Sequence, residues 1–144
     1  MKIYLKIFYL FILLPVLSGC SDKLTFSALE GTYTGEFHYI SPVDTVKRTG
    51  LASISFKQQN FTSAGSTDRI PAGGSGSIEI LDDKMIEFKD ENIWTANFDW
   101  GLILNGKFKY EFKGDSLILN RYFEPCPACL SAPSTYQYKL KRKN

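Results

Sequence analysis

The sequence predicts an all-β fold, an antiparallel up-and-down barrel of about eight strands. Apolar and polar side chains alternate with a period of two in run after run beyond residue 28, and helical spacing is nearly absent. Turn residues fall between these runs at the intervals typical of hairpins. Strands that pair only with their neighbours close most readily into a barrel, and closure removes the exposed edges of the sheet.

The first half of the chain contains the earlier strands. The run "TYTGEFHYI" places Tyr33, Phe37 and Tyr39 on one face, and "ASISF" does the same for Phe56. "NFTSA" is a weaker candidate, and "SGSIEIL" follows it. Two aspartates then turn the chain into "KMIEF", in which Phe88 faces inward. These patterns predict strands with one buried aromatic face.

The second half continues the alternation. "KFKYEFK" is the clearest case, because Phe108, Tyr110 and Phe112 alternate with charged residues. An Asn-Gly pair predicts a tight hairpin from "LIL" into this strand, and a Gly-Asp pair leads on to "SLILNRYF". "YQYKL" is the predicted last strand. "IWTANFDW" is a weaker candidate, whose Trp94, Phe98 and Trp100 share one parity and predict core packing or a contact at the barrel mouth.

Two stretches interrupt this rhythm. Residues 65–77 are rich in Gly and Ser and predict a long mobile hairpin loop. They lack the Gly-Lys-Ser/Thr ending of a phosphate-binding loop, so nucleotide binding is not expected. Residues 123–134 contain three prolines, which exclude a central strand.

The first 20 residues predict export and lipidation. Lys2 and Lys6 precede an apolar run that is too short to span a membrane, which is typical of a secretory signal peptide. The run ends in "LSGC", which resembles the lipobox of bacterial lipoproteins. The resemblance implies removal of residues 1–19, acylation of Cys20 with chains such as palmitate, and stable membrane anchoring. Residues 20–28 would then form a lipidated tether, and 29–142 a single domain.

The location expected from this resemblance is the bacterial cell envelope. Ser21 follows the cysteine where an enteric-type signal for inner-membrane retention would place Asp, which favours the outer membrane. Without residues 1–19 the chain loses two of its 17 basic residues, which leaves 15 against 15 acidic ones. A neutral chain with no basic aromatic patch predicts no nucleic-acid partner.

The two ends of the predicted domain resemble a known family. "LEGTYTGEF" and "YQYKLKR" are similar to the first and last strands of the lipocalin-like, or calycin-type, domains of bacterial envelope lipoproteins. In that family a Gly-x-Trp motif begins the first strand, and an Arg usually packs over the Trp. Gly31-Thr32-Tyr33 fills the motif with Tyr in place of Trp, and no Arg is assigned. The resemblance implies an eight-stranded barrel and no particular activity.

Cys126 and Cys129 form a Cys-x-x-Cys pair in the proline-rich stretch. An oxidising compartment favours a disulfide between them. A thioredoxin-like role would need a strand that runs into a helix, and none is predicted here. Copper(I) binding by the two thiolates remains an alternative, since "PCPAC" resembles a motif of copper-linked envelope lipoproteins, although there it lies early in the barrel. A zinc site would need more ligands than the pair and the distant His38 supply.

Function is the property that the sequence predicts least. One histidine and no recognisable nucleophile set argue against an enzyme, although carboxylates such as Asp44 and Asp99 could meet in the fold. The inward aromatic residues either fill the barrel or line a cup for an apolar ligand; they are Tyr33, Phe37, Tyr39, Phe56, Phe88, Phe108, Tyr110 and Phe112.

The expected function is that of a non-enzymatic, membrane-anchored envelope lipoprotein without a cofactor. It would bind a small apolar ligand or an envelope protein partner. The first alternative is a copper- or redox-responsive lipoprotein that acts through Cys126 and Cys129. The second is a structural accessory subunit of a surface complex, which would carry an exposed apolar patch.

Overall fold

The chain forms a closed barrel of eight antiparallel strands that follow one another in sequence order, so the predicted fold class is confirmed. A computed structural model describes residues 24–43, 46–82, 84–95, 99–129 and 132–143. The strands are β1 (Gly31–Ile40), β2 (Lys47–Lys57), β3 (Asn60–Ala64), β4 (Gly73–Asp82), β5 (Met85–Asp90), β6 (Gly106–Lys113), β7 (Ser116–Arg121) and β8 (Thr135–Arg142). Pairing of β1 with β8 closes the barrel.

The two ends of the barrel differ in the length of their connections. Three two-residue links, 58–59, 83–84 and 114–115, join strands at one end, which we call the tether end because the N-terminal segment enters there. At the opposite end, the loop end, the strands are joined by longer connections: 41–46, 65–72, 91–105 and 122–134. Long connections tolerate irregular backbone and commonly carry function. The loop end is therefore the expected location of a functional site.

A short helix closes the tether end. Helix α1 (Phe26–Leu29) begins after Thr25, whose side-chain oxygen accepts a hydrogen bond from the amide of Ala28 at 3.2 Å. Leu29 is 1% exposed, and Leu24 and Phe26 pack against the core. The helix thus covers the apolar interior that a barrel of short strands leaves open at its end.

Contacts between Arg142 and Tyr33 connect the last and first strands at this end of the barrel. The two residues are paired in the β1–β8 register. The guanidinium carbon lies 5.1 Å from the centre of the Tyr33 ring, and the Nη2 atom donates to the Tyr33 hydroxyl and to the carbonyl of Ala28. One side chain therefore joins the last strand to the first strand and to the segment that carries α1.

The connection between β5 and β6 differs from the prediction. The predicted hairpin from "LIL" through Asn105-Gly106 is wrong, because residues 102–104 do not form a strand. A 3-10 turn spans Trp100–Leu102, and Leu102, Ile103 and Leu104 are buried. The amide of Leu104 donates to the carbonyl of Gly73, so this segment lies against the barrel wall at the loop end. Burial of three apolar side chains outweighs the local preference of Asn-Gly for a hairpin.

The Gly/Ser-rich stretch is only partly a loop. Strand β4 begins at Gly73, so the prediction of a loop through residue 77 is wrong. A Cβ at Gly76 would collide with the carbonyl oxygen of Lys89 on β5, and a Cβ at Gly73 would approach the carbonyl of Ser63 on β3 to 2.5 Å. Glycine at these positions permits close approach of neighbouring strands. A glycine that serves this purpose cannot be distinguished, by sequence pattern alone, from a glycine in a loop.

Aromatic rings fill much of the interior. Tyr33, Phe37, Phe56, Phe88 and Phe108 are each at most 4% exposed. Phe88 lies at the centre of this cluster, with three neighbouring rings at centroid distances of 5.1–6.1 Å. The contacts with Phe61 and Phe108 are edge-to-face, a geometry that is favourable beyond the area it buries. The packing corresponds to the filled-barrel alternative for these five residues.

Tyr138 contributes a hydroxyl to the same core. Its ring lies 4.8 Å from that of Phe37, and burial raises its pKa above the usual value of about 10, with Arg121 opposing the shift. Because only the unfolded state ionises readily, stability should fall as the pH rises above about 10. We expect the wild type to lose about 1 kcal/mol more than Tyr138→Phe between pH 8 and pH 11, measured by urea unfolding. Equal losses in the two proteins would contradict this assignment.

The predicted signal peptide, residues 1–19, and the predicted lipidation residue Cys20 lie outside the described residues. In the ranges that are described, no helix is long and apolar enough to cross a membrane.

Candidate functional site at the loop end

The structure distributes the predicted ligand-contact residues over the whole barrel. Besides the five core residues, Tyr110 and Phe112 are half-buried towards the tether end, and the hydroxyl of Tyr110 lies 3.5 Å from the carbonyl of Asp82. Tyr39 is half-buried near the loop end, where its ring lies 5.1 Å from that of Tyr136. The eight residues therefore do not form one surface, and a ligand-binding role for them stays a prediction.

Arg121 is the central charged residue of the loop end. It ends β7 and shares its inward parity with Leu117 and Leu119, both of which are buried. The guanidinium carbon lies 5.2 Å from the ring centre of Tyr136 and 5.4 Å from that of Phe123. The Nη1 atom donates to the carbonyl of Gly101 at 2.8 Å. Ring faces on the neighbouring strand and loop thus hold a cation at the edge of the core.

Tyr136 joins this cation to the segment between β5 and β6. Its hydroxyl lies so near Gly101 that a Cβ at that position would be 2.5 Å away. Burial raises the pKa of Tyr136, and the carboxylate of Asp99 adds to the effect while Arg121 opposes it. Like any tyrosine phenol it is protonated at neutral pH, and its hydroxyl can donate a hydrogen bond.

Asp90 organises the opposite wall of the site. Its Oδ1 accepts from the amide of Ser75 at 3.0 Å and from Nδ2 of Asn92 at 2.6 Å, while its Oδ2 accepts from Nε1 of Trp94 at 2.6 Å. The side-chain oxygen of Asn105 accepts from the Asp90 amide at 3.1 Å. These bonds use the carboxylate lone pairs and orient the Trp94 ring.

A cleft of about 410 Å³ lies between these two walls, within the range of small-ligand pockets. Trp100 is 59% exposed, which leaves a large ring accessible at the rim. The surface combines aromatic faces, one guanidinium and several amide groups, which suits a small ligand with an apolar body and a polar group. The lining residues are Asp90, Asn92, Trp94, Trp100, Gly101, Ile103, Asn105 and Arg121.

Cys126 and Cys129 form a disulfide in the connection between β7 and β8, with Cα atoms 5.3 Å apart. The amide of Cys129 also donates to the carbonyl of Cys126 at 3.0 Å, so the bridge closes a single turn. The turn is exposed, and Lys107 on β6 holds its preceding segment through a 2.9 Å ion pair with Glu124. The favoured prediction for the pair, a disulfide in the final loop, is confirmed, while a copper or redox role stays a prediction.

Removal of this bridge should leave the barrel intact. A ring closed by so few residues contributes about 2 kcal/mol in the chain-entropy model. We expect the double variant Cys126→Ser, Cys129→Ser to unfold cooperatively in urea with a free energy lower by about 2 kcal/mol or less. Reduction of the wild type should reproduce this change. A loss above about 4 kcal/mol would instead show that the loop stabilises the strands on both sides of it.

Within the described ranges, no group of three or more His, Cys, Asp or Glu residues is arranged to hold a metal ion. Asp44, which the sequence offers as a possible partner of Asp99, lies outside those ranges. Asp99 itself accepts a 2.9 Å hydrogen bond from the amide of Gly101 and caps the 3-10 turn. Its observed role is to cap this turn, whose Trp100 and Gly101 line the cleft.

Sequence reasoning missed both inward arginines. Arg121 has the parity of Leu117 and Leu119 in "SLILNRYF", and Arg142 has the parity of Tyr138 and Leu140 on the last strand. A charged residue on the apolar face of a strand end was the available signal. Such a residue needs a partner because an unpaired buried charge is costly.

Comparisons of the chain with protein-family models, with curated proteins and with solved structures find no match.

Proposed function

We propose that this protein is a non-enzymatic, lipid-anchored envelope lipoprotein that binds a small amphipathic ligand in the cleft at the loop end of its barrel. The observation that carries the proposal is the contrast between a core filled by aromatic rings and a half-open cleft that combines exposed Trp100 with the guanidinium of Arg121. A packed interior directs ligand binding to the cleft.

The position of the N-terminus supports an orientation for the anchored protein. The described chain begins at Leu24 and enters the barrel at the tether end through α1. Four peptide links from an acylated Cys20 to Leu24 reach at most about 14 Å. The tether end would therefore face the membrane, and the cleft, at the opposite end, would face the aqueous phase.

A lipocalin-like relationship forms part of the proposal. The sequence resemblance places Tyr33 at the position of the family's tryptophan, and an arginine is expected to pack over it. Arg142 lies over the Tyr33 ring from the last strand, at 5.1 Å. This contact supports the relationship independently of the strand count, because eight-stranded barrels have more than one origin.

Native mass spectrometry of the protein extracted from its own membrane tests the proposal. The expected species begins at Cys20, carries two or three acyl chains and retains a small molecule that is lost on collisional activation. The Cys20→Ala variant should keep its first 19 residues and carry no acyl chain. A water-soluble, unacylated wild-type chain would overturn the anchoring. An acylated chain without a passenger, together with no response of tryptophan fluorescence to amphipathic ligands, would overturn the binding function.

A further inference from the structure

We propose that the cleft is a carboxylate site, in which Arg121 binds the acid group of a small monoanionic organic ligand and the tryptophan side of the cleft holds its apolar body. This inference rests on the proposed function, because it requires the cleft to bind a ligand. It adds the chemical class of that ligand and the residue that selects it.

The guanidinium of Arg121 is held in place, but most of its N–H groups have no hydrogen-bond acceptor among the described residues. Its faces contact the rings of Phe123 and Tyr136, and Nη1 is bonded to the carbonyl of Gly101. In the part of the chain that the structure describes, no carboxylate lies within ion-pair distance of it. Nη2 points towards Gly106, whose Cβ position is 3.8 Å away. Several of the five N–H donors of the fork therefore remain for a ligand.

A bound anion would offset the free energy that is lost when Arg121 is partly buried. Arg121 lies half-buried above Leu119 at the end of β7, so part of its hydration is lost on folding. A backbone carbonyl and two ring faces compensate a cation only partly, and a carboxylate adds an opposite charge and two paired N–H···O bonds. The rings restrict the side chain beforehand, which lowers the entropy lost when a ligand binds.

The neighbouring charges favour a carboxylate over a phosphate. Asp90 lines the cleft, and Asp99 accepts a hydrogen bond from the amide of Gly101, the residue whose carbonyl Arg121 binds. A doubly charged phosphate would meet repulsion from both acidic side chains, whereas a single negative charge meets about half of it. Trp94, Trp100 and Ile103 supply apolar surface in the same cleft. A cleft of about 410 Å³ accommodates an acid with an aromatic ring or a short alkyl chain.

Isothermal titration calorimetry with matched probes tests the site. The acylated protein in lipid nanodiscs is titrated with 4-phenylbutyrate, 4-phenylbutan-1-ol and 4-phenylbutyl phosphate, and empty nanodiscs provide the blank. We expect the acid to bind at least about 10-fold more tightly than the alcohol. Arg121→Gln should remove this preference by weakening acid binding about 10-fold, with alcohol binding changed less than about 2-fold. Arg121→Lys, which keeps the charge without the fork, should fall between them.

Arg48→Gln is the matched control. Arg48 lies at the same end of the barrel, is exposed, and stacks over Tyr39 at 5.8 Å outside the cleft. It should retain the preference for the acid, and thermal unfolding checks the fold of each variant. Equal binding of acid and alcohol by the wild type would overturn the carboxylate site while the proposed function stands. Preference for 4-phenylbutyl phosphate, or an equal loss in Arg48→Gln, would also overturn it. Binding of none of the probes would count against the proposed function and the inference together.

Discussion

Replacement of Phe88 by alanine is expected to lower the free energy of unfolding by about 3–5 kcal/mol. Phe88 is fully buried, and its ring contacts those of Phe56, Phe61 and Phe108. These neighbours belong to β2, β3 and β6, so the cavity would open where several strands meet. Strands of a closed barrel cannot move together freely to fill such a cavity, which places the cost near the upper end of the range.

Urea unfolding followed by far-ultraviolet circular dichroism measures this change. Ile93→Ala is the control, because Ile93 is fully exposed and its truncation should change stability by less than about 0.5 kcal/mol. Phe88→Leu retains much of the volume and should recover part of the loss. If Phe88→Ala were as stable as the wild type, the aromatic cluster would not be the core of this barrel.

Replacement of Arg142 by alanine is expected to cost about 2–4 kcal/mol. The change removes hydrogen bonds to Ala28 and Tyr33 and the cation–π contact with the Tyr33 ring. It also leaves the hydroxyl of the fully buried Tyr33 without its charged partner. The closure of the barrel and the attachment of α1 both depend on this side chain, so the tether end should loosen first.

A double-mutant cycle measures the coupling energy between Arg142 and Tyr33 apart from the other effects of each substitution. Tyr33→Phe keeps the ring and removes the hydroxyl, and the pair with Arg142→Ala should show a coupling energy of about 1–2 kcal/mol. Faster hydrogen exchange in β1 and β8 of Arg142→Ala should accompany the loss. Lys143→Ala is the control, since its exposed side chain follows directly in the chain. Additive effects in the cycle would show that the two groups do not interact.

The strands were predictable because their period is local. Alternation of Phe108, Tyr110 and Phe112 with charged residues specifies a half-buried strand whatever lies opposite. "NFTSA" was predicted with its observed bounds, Asn60–Ala64. The wrong predictions fall where the same composition fits both a loop and a strand. The first residues of β4 are an example, because their glycines allow neighbouring strands to approach closely.

The candidate site was less predictable because its residues come from different connections. The sequence predicts Trp94, Phe98 and Trp100 as possible contacts at the barrel mouth, of which Phe98 lies outside the described residues, but it does not single out Asp90, which orients Trp94. Arg121 carried a signal in its parity, yet parity does not reveal that Tyr136 and Phe123 lie on either side of it. Pairing of β7 with β8 brings Arg121 near Tyr136, and pairing is a property of the closed sheet.

The sequence by itself determined the all-β class, the neighbour-to-neighbour order of the strands and the inward aromatic faces, because alternation and turn chemistry act over a few residues. Only the tertiary structure decided that the core is packed with rings, that Arg142 closes the tether end and that Arg121 faces a cleft. Those features depend on the register between strands and on the path of residues 91–95 and 99–105 at the barrel end. The register and this path are both set by burial of apolar surface over the whole barrel, which no single segment of the sequence determines.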